Sequence, residues 1–137
     1  MRIRNFESDD EADVIGLWHC TGVSRPWNDP ERDIKRCLAV ENSWLLVGEV
    51  SDQIVASVMV GYDGHRGWIY YLAVHPDYQK QGLGRQLMND AERILREAGC
   101  AKLNLQVRYD NQEVKRFYER LGYRQDQVIS FGKRLDR

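Results

Sequence analysis

The most constraining feature of the sequence is the stretch from Trp68 to Ala98. It opens with an apolar run, rich in aromatic and β-branched residues, that predicts a strand buried on both faces and ended by Pro76. Beyond it, apolar residues recur at the spacing of one helical face: Leu83, Leu87, Met88, Ala91, Ile94, Leu95 and Ala98. The stretch therefore predicts a strand, a turn and a helix in succession.

Two glycines lie where this turn becomes the helix. Gly82 and Gly84 would let unpaired backbone N–H groups converge on an anion, and Lys80 and Arg85 add positive charge. The spacing matches neither the P-loop, which needs Lys and then Ser or Thr after its last glycine, nor the dinucleotide fingerprint, since Leu87 occupies the third small position. On this motif alone, a tight turn that serves only helix–strand packing stays open.

The pattern Gln79-x-x-Gly82-x-Gly84, after a strand that ends at Val74, resembles the acetyl-CoA motif of the GNAT acyltransferases. The segment from Asn111 to Tyr123, with its Phe-Tyr-Glu and Leu-Gly-Tyr, resembles the second signature of that family. The resemblance spans essentially the whole chain. The segments 25–30 and 61–67 are similar to those of the YpeA-type branch.

The resemblance implies the fold. We expect an α/β (α+β) architecture: the GNAT acyl-CoA N-acyltransferase fold, with a mixed, mostly antiparallel central sheet, splayed fourth and fifth strands and about four flanking helices. At 137 residues the chain is expected to form a single domain, residues 1–137. Sequence patterns place the strands at 2–6, 44–50, 54–62, 68–74, 103–107 and 128–135, with a capping box at Asp110 and Glu113 for the last helix.

The resemblance also implies acetyl-CoA as co-substrate. Backbone N–H groups around the turn would hold its diphosphate, and pantetheine would pair with the end of the fourth strand like an added strand. The implied cofactor-binding residues are Leu72, Ala73, Val74, Gln79, Lys80, Gln81, Gly82, Leu83, Gly84, Arg85, Asn111 and Tyr118. Asn111 could instead only help to start its helix.

The implied chemistry is direct attack of a primary amine on the thioester in a ternary complex. The backbone N–H of Leu72 or its neighbour would face the thioester oxygen, and Tyr118 would protonate the departing thiolate. A packed core tyrosine is the alternative for Tyr118. Some family members carry a glutamate base near the start of the fourth strand, where this chain has Trp68-Ile69-Tyr70. The base therefore stays open among Asp63, His65, Glu49, Asp29 and a water relay.

The acceptor is expected near the hairpin at the start of the central strand, opposite the phosphate turn. Candidate acceptor-binding residues are Trp27, Asp63, His65, Trp68 and Tyr70, although the aromatic ones could be core and His65 simply solvated. Both a small metabolite and a peptide or protein amino group stay open. Two other classes are a non-catalytic acyl-CoA sensing domain, which the missing glutamate suggests, and a CoA-independent interaction domain, which the intact glycine motif disfavours.

Composition removes several classes of protein. A formal net charge of −1 argues against a broad basic surface for nucleic acid. No apolar run reaches the length of a membrane span and no signal peptide is evident, so we expect a cytoplasmic protein without a membrane partner. Three scattered cysteines, Cys20, Cys37 and Cys100, imply neither a disulfide framework nor a metal site. Because GNAT domains occur as monomers and dimers, a homodimer stays open.

Overall fold

The computed structural model describes residues 1–136, which fall into two compact units. The first unit comprises Met1–Gln106, and the second begins at Val107. The expectation of a single domain stays a prediction.

The first unit contains one mixed sheet with the strand order β1-β2-β3-β4-β5. Its strands are β1 (Arg2–Asn5), β2 (Ser43–Val50), β3 (Gln53–Tyr62), β4 (Gly67–Val74) and β5 (Leu103–Leu105). Neighbouring strands are antiparallel except for the last pair, in which β5 runs parallel to β4. The predicted mixed, mostly antiparallel sheet is therefore confirmed, with a fifth strand that ends at Leu105 instead of continuing to Val107.

Four α-helices occur among residues 1–136: α1 (Glu11–Thr21), α2 (Pro30–Ala39), α3 (Leu83–Glu97) and α4 (Gln112–Arg120). Local residues determine where α2 starts. The Asp29 side chain accepts a hydrogen bond from the Arg32 N–H, and Pro30, at the first position of the helix, has no N–H group that would lack an acceptor there. Helix α4 belongs to the second unit, and the other three belong to the first. None of these helices combines the length and apolar character needed to cross a membrane.

Helices cover the sheet of the first unit on both faces. Helices α1 and α2 bury Val14, Leu17, Trp18, Ile34 and Cys37 against Leu45, Val47, Met59 and Ala73. The residues between these on β2 and β3, such as Leu46, Val58 and Val60, are buried as well, and α3 contacts β2, β3 and β4. Since alternate strand residues point to opposite faces, the sheet has apolar packing on each side.

Strand β4 contains a bulge in its middle. Ser57 of β3 pairs with Ala73 and Met59 pairs with Tyr70, so the single residue Val58 lies opposite both Tyr71 and Leu72. Tyr71 has a φ of 54°, in the left-handed region that a large side chain seldom adopts. The bulge changes which residues of β4 face α1 and α2.

Strands β4 and β5 pair only at their beginnings. Pairing extends from Gly67 opposite Leu103 to Ile69 opposite Leu105, where β5 ends. Strand β4 continues for five more residues to Val74, and no strand within residues 1–136 pairs with that edge. This open edge agrees with the predicted splay of the fourth and fifth strands.

The predicted last strand, Val128–Leu135, is wrong. Within the described part of the second unit these residues form no strand, and Phe131 is 94% exposed. Apolar residues in this segment suggested a strand, but a strand also requires a neighbour that satisfies its N–H and C=O groups. The described residues of the second unit contain no strand.

Candidate active site

The turn between β4 and α3 presents backbone N–H groups to the solvent. Gly82 is the N-cap of α3, with a φ of 81°, and no side chain caps the helix there. The first-turn N–H groups of Leu83, Gly84 and Arg85 are therefore donors without intrahelical acceptors. No acidic residue occupies this turn of α3. The helix dipole and the unpaired donors together suit an anionic group.

The open space and the positive charge around this turn also suit an anionic group. A Cβ atom built on Gly82 would meet no other atom within 4 Å, so the N-terminus of α3 opens to solvent. Lys80 and Arg85 are exposed, and neither forms an ion pair within residues 1–136. Gln81 is exposed in the same turn. The Gln79 side chain instead donates a hydrogen bond to the Val74 carbonyl at 2.9 Å, so this residue fixes the turn to the end of β4.

The open edge of β4 ends at Val74, and a short 3₁₀ helix, Pro76–Tyr78, connects it to this turn. His75 N–H donates to the Val55 carbonyl of β3 at 2.7 Å, which identifies the residues whose backbone groups face β3. Because these groups alternate in direction along a strand, Ala73 also faces β3, while Val74 and Leu72 face the open edge. Two of the three residues predicted to pair with pantetheine thus have backbone groups on the edge that no strand covers.

A buried network holds the bulge in place. The Trp18 indole N–H donates to the Ser57 hydroxyl at 2.8 Å, and that hydroxyl donates to the Tyr71 carbonyl at 2.9 Å. The ring of Trp18 stacks on Tyr71 with centroids 3.8 Å apart. The Tyr71 hydroxyl donates to the Asp33 carboxylate at 2.6 Å. These contacts fix both ends of Tyr71 and offset the cost of its unusual backbone conformation.

The bulge places two consecutive side chains in one cavity. Tyr70 and Tyr71 both line a cavity of about 470 Å³ on the side of the sheet that α2 covers. Polar side chains from the α1–α2 loop, α2 and β2 also line it, namely Asn28, Asp33, Arg36 and Ser43, and Val23, Val40 and Met59 supply apolar walls. Tyr70 is 49% exposed, so the prediction of a strand buried on both faces is wrong at this residue.

Sequence reasoning missed the two charged residues of this cavity. Asp33 and Arg36 lie on α2 beside buried Ile34 and Cys37, so their sequence context is that of an ordinary amphipathic helix. Burial and the Asp33 carboxylate raise the pKa of the Tyr71 phenol, which keeps its hydroxyl a donor to Asp33. Side chains normally alternate between the two faces of a strand, so the only sequence signal of the bulge was the pair of adjacent tyrosines, Tyr70 and Tyr71.

Four of the five predicted acceptor residues lie outside the cavity lining. Asp63 accepts the N–H groups of His65 and Arg66, each at 2.8 Å, and the Trp68 indole N–H at 3.4 Å. The Arg66 and His65 N–H groups lower the pKa of Asp63, which makes it a weaker base. Trp27 is 49% exposed and also does not line the cavity. Tyr70 is the predicted residue that does.

The other two candidate bases make contacts that stabilise the fold. Glu49 accepts a hydrogen bond from Arg4 at 3.1 Å and lies 3.6 Å from an Arg2 nitrogen. Asp29 caps α2 and lies 3.8 Å from the Arg32 guanidinium. Neither residue lines the cavity, whereas Asp33 does.

In the second unit, Tyr118 and Asn111 lie on or beside α4. Tyr118 is 8% exposed, contacts the rings of Phe117 and Tyr123 edge to face, and has its pKa raised by burial. Asn111 is the N-cap of α4, since its side chain accepts the Val114 N–H at 3.2 Å. The predicted cap at Asp110 is therefore displaced by one residue.

Comparison with known proteins identifies the family. The model of the acetyltransferase (GNAT) family matches residues 12–123. An acetyltransferase from Sodalis glossinidius is 50% identical over 136 residues, covering 98% of this chain and 96% of that protein.

Solved structures share the fold at low identity. An aminoglycoside N-acetyltransferase in complex with CoA aligns with a TM-score of 0.83 and 14% identity, covering 98% of this chain and 94% of that one. An aminoglycoside 6'-N-acetyltransferase from Acinetobacter haemolyticus aligns with a TM-score of 0.81 and 17% identity, covering 99% and 100%. The predicted fold is confirmed, and the resemblance to the YpeA-type branch stays a prediction. The chain belongs to the GNAT family of acetyltransferases, and it is an acyltransferase.

Proposed function

We propose that this protein transfers an acetyl group from acetyl-CoA to a primary amine, of a small metabolite or a peptide, by direct attack in a ternary complex. The observation that carries the proposal is the proximity of two features. The open edge of β4 is followed, after a short 3₁₀ helix, by a turn whose helix begins with uncapped N–H groups, and the Gln79 side chain joins that turn to the Val74 carbonyl. A ligand with an anionic end and an extended amide-containing arm, as acetyl-CoA has, fits both.

Each part of the donor would have its own partner in the chain. The N–H groups of Leu83, Gly84 and Arg85 bind the diphosphate, helped by the nearby charge of Lys80. The backbone groups of Leu72 and the N–H of Val74 pair with pantetheine as a neighbouring strand would, while the Val74 carbonyl keeps its bond to the Gln79 side chain. When bound, acetyl-CoA supplies a thioester carbon that is open to attack by an amine.

The chain's residues then manage charge and protons. The Leu72 N–H stabilises the negative charge that develops on the thioester oxygen as the amine attacks the acyl carbon. Tyr118 gives its proton to the departing sulfur; a phenol is protonated at neutral pH, and burial raises the pKa of Tyr118 further. The acceptor nitrogen forms the bond to the acyl carbon as the carbon–sulfur bond breaks. Overall, an ammonium group becomes an amide and one proton is released to solvent.

The acceptor enters from the cavity beside the bulge. Tyr70 and Tyr71 line that cavity and are also the first residues of β4 beyond its pairing with β5. The cavity therefore adjoins the stretch of β4 that would hold the reacting end of the donor. Two solved structures that share the fold are named aminoglycoside N-acetyltransferases, and this supports transfer of the acetyl group to a nitrogen.

The test compares turnover with donor affinity. Thiol release should be measured with acetyl-CoA and a panel of primary amines, and CoA affinity by calorimetry, for the wild type, Tyr118→Phe and Tyr109→Phe. We expect Tyr118→Phe to lower kcat by about 100-fold or more, because general acid catalysis typically contributes at least that much. Its CoA affinity should change less than about threefold, since the turn at α3 is untouched.

Tyr109→Phe is the matched control, because Tyr109 also belongs to the second unit but is 93% exposed. It should retain the turnover of the wild type. CoA binding without thiol release for any amine would contradict the proposed transfer and favour a sensing domain. Full turnover by Tyr118→Phe would contradict the role of Tyr118 alone.

A further inference from the structure

The cavity beside the bulge contains a carboxylate and a guanidinium that do not pair with each other. Asp33 and Arg36 lie three residues apart on α2, a spacing at which opposite charges commonly form a pair. The Asp33 carboxylate is instead bonded to the Tyr71 hydroxyl at 2.6 Å. The Arg36 guanidinium forms neither a hydrogen bond nor an ion pair with any residue from 1 to 136. The second Asp33 carboxylate oxygen and the exposed Arg36 guanidinium therefore remain available to a ligand.

The remaining lining residues indicate the chemistry of the uncharged part of such a ligand. Val23, Val40 and Met59 give the cavity apolar walls, and Tyr70 adds a half-exposed ring. The volume of about 470 Å³ lies within the range of about 300–1,000 Å³ that is typical of sites for small molecules. A ligand that complements this lining has a positive group, a negative group and an apolar portion.

We propose that the acceptor is an amino acid with an apolar or aromatic side chain, whose carboxylate binds Arg36 and whose ammonium group binds Asp33. The inference rests on the proposed function and names the substrate class of the same site. A guanidinium can hold a carboxylate through two parallel hydrogen bonds, which fixes orientation as well as charge.

The Tyr71 hydroxyl contributes to this selectivity by holding Asp33. Tyr71 belongs to the bulge, so its hydrogen bond to Asp33 connects the ammonium-binding carboxylate to the stretch of β4 that precedes Leu72. An ammonium group bound to Asp33 would lie next to the Tyr71 hydroxyl. The ammonium group would then give one proton to the Asp33 carboxylate, directly or through water, before the amine attacks.

Matched pairs of acceptors test the inference. Leucine and phenylalanine should be compared with isoamylamine and phenethylamine, the amines that remain when the carboxylate is removed. Turnover should be followed by thiol release, and acceptor binding to the CoA-loaded protein by calorimetry. We expect each amino acid to have a KM about tenfold or more below that of its decarboxylated partner, as one charge-assisted contact typically provides.

Variants of α2 assign the effect to a residue. Arg36→Gln should raise the KM and the calorimetric Kd for the amino acids about tenfold, with little change for the decarboxylated amines. Lys35→Gln is the matched control, because it removes one positive charge from an exposed neighbouring position of α2 outside the cavity lining. Asp33→Asn should weaken the binding of both the amino acid and the amine in each pair, because it removes the negative charge that binds the ammonium group. The asparagine oxygen would still accept the hydrogen bond from Tyr71.

The outcomes separate this inference from the proposed function. Equal KM values within each pair, or equal effects of Arg36→Gln and Lys35→Gln, would overturn the amino-acid acceptor while acetyl transfer stands. So would turnover that is confined to polyamines, aminoglycosides or peptide N-termini. Failure of the wild type to bind CoA would instead overturn the proposed function itself.

Discussion

The donor turn and the acceptor cavity of this protein are built in opposite ways. The turn at the start of α3 consists of consecutive residues and offers backbone N–H groups, so its chemistry depends on glycines and helix geometry. The cavity combines side chains from the α1–α2 loop, α2 and three strands. Under the proposed function, the main chain would recognise a group shared by all acyl-CoA donors, whereas side chains, which can differ between relatives, would recognise the acceptor.

The largest effect is expected from a negative charge introduced at the donor turn. Gly82→Asp should weaken CoA binding about 100-fold, because a carboxylate would face the diphosphate at the N-terminus of α3. Gly82→Asn is the matched control, since asparagine has the same shape and tolerates the positive φ of 81°. Calorimetry with CoA measures both. Equal affinities for the two variants would contradict the assignment of the diphosphate to this turn.

A smaller effect is expected from the network behind the bulge. Ser57→Ala should lower the free energy of unfolding by about 1–3 kcal/mol, because it leaves the Trp18 N–H and the Tyr71 carbonyl without their buried partner. We expect the acceptor KM to rise as Tyr71 loses one of its restraints, while CoA affinity is unchanged. Chemical denaturation and steady-state kinetics provide the two readouts.

Ser8→Ala serves as the control for this change, because Ser8 is exposed and its side chain has no hydrogen-bond partner within residues 1–136. It should leave stability and kinetics close to those of the wild type. A loss of CoA affinity in Ser57→Ala equal to its rise in acceptor KM would show that the two sites are not independent.

The smallest effect sharpens the boundary of the acceptor site. Tyr70→Ala should raise the acceptor KM severalfold, since Tyr70 lines the cavity and is only partly buried. His65→Ala should have a smaller effect, because His65 is exposed in the hairpin outside the lining. Steady-state kinetics at saturating acetyl-CoA measures both. A larger effect for His65→Ala would return the acceptor to the hairpin.

The sequence was most informative where the physical determinants are contiguous. The run that ends at Pro76 and the glycines at 82 and 84 predicted the strand, the turn and the helix, because each signal acts on its immediate neighbours. The cap of α2 at Asp29 was predictable for the same reason. Helix α4 followed from its pattern as well, with its cap displaced by one residue to Asn111.

Features that depend on distant partners were missed. Asp33 acquires its role only because the bulge brings the Tyr71 hydroxyl to it from a strand 38 positions later in the chain. The bulge in turn depends on the Trp18 and Ser57 side chains. The segment 128–135 shows the reverse error, since a strand-like composition without a partner strand does not form a strand.

Neighbouring residues of helix α2 have different roles. Ile34 and Cys37 are buried in the core, while Asp33 and Arg36 border the cavity. A saturation library limited to Asp33 and Arg36 should therefore alter which amines are accepted while most of its members still fold. Retaining Ile34 and Cys37 would make this helix a practical starting point for redirecting the enzyme towards new amines by directed evolution.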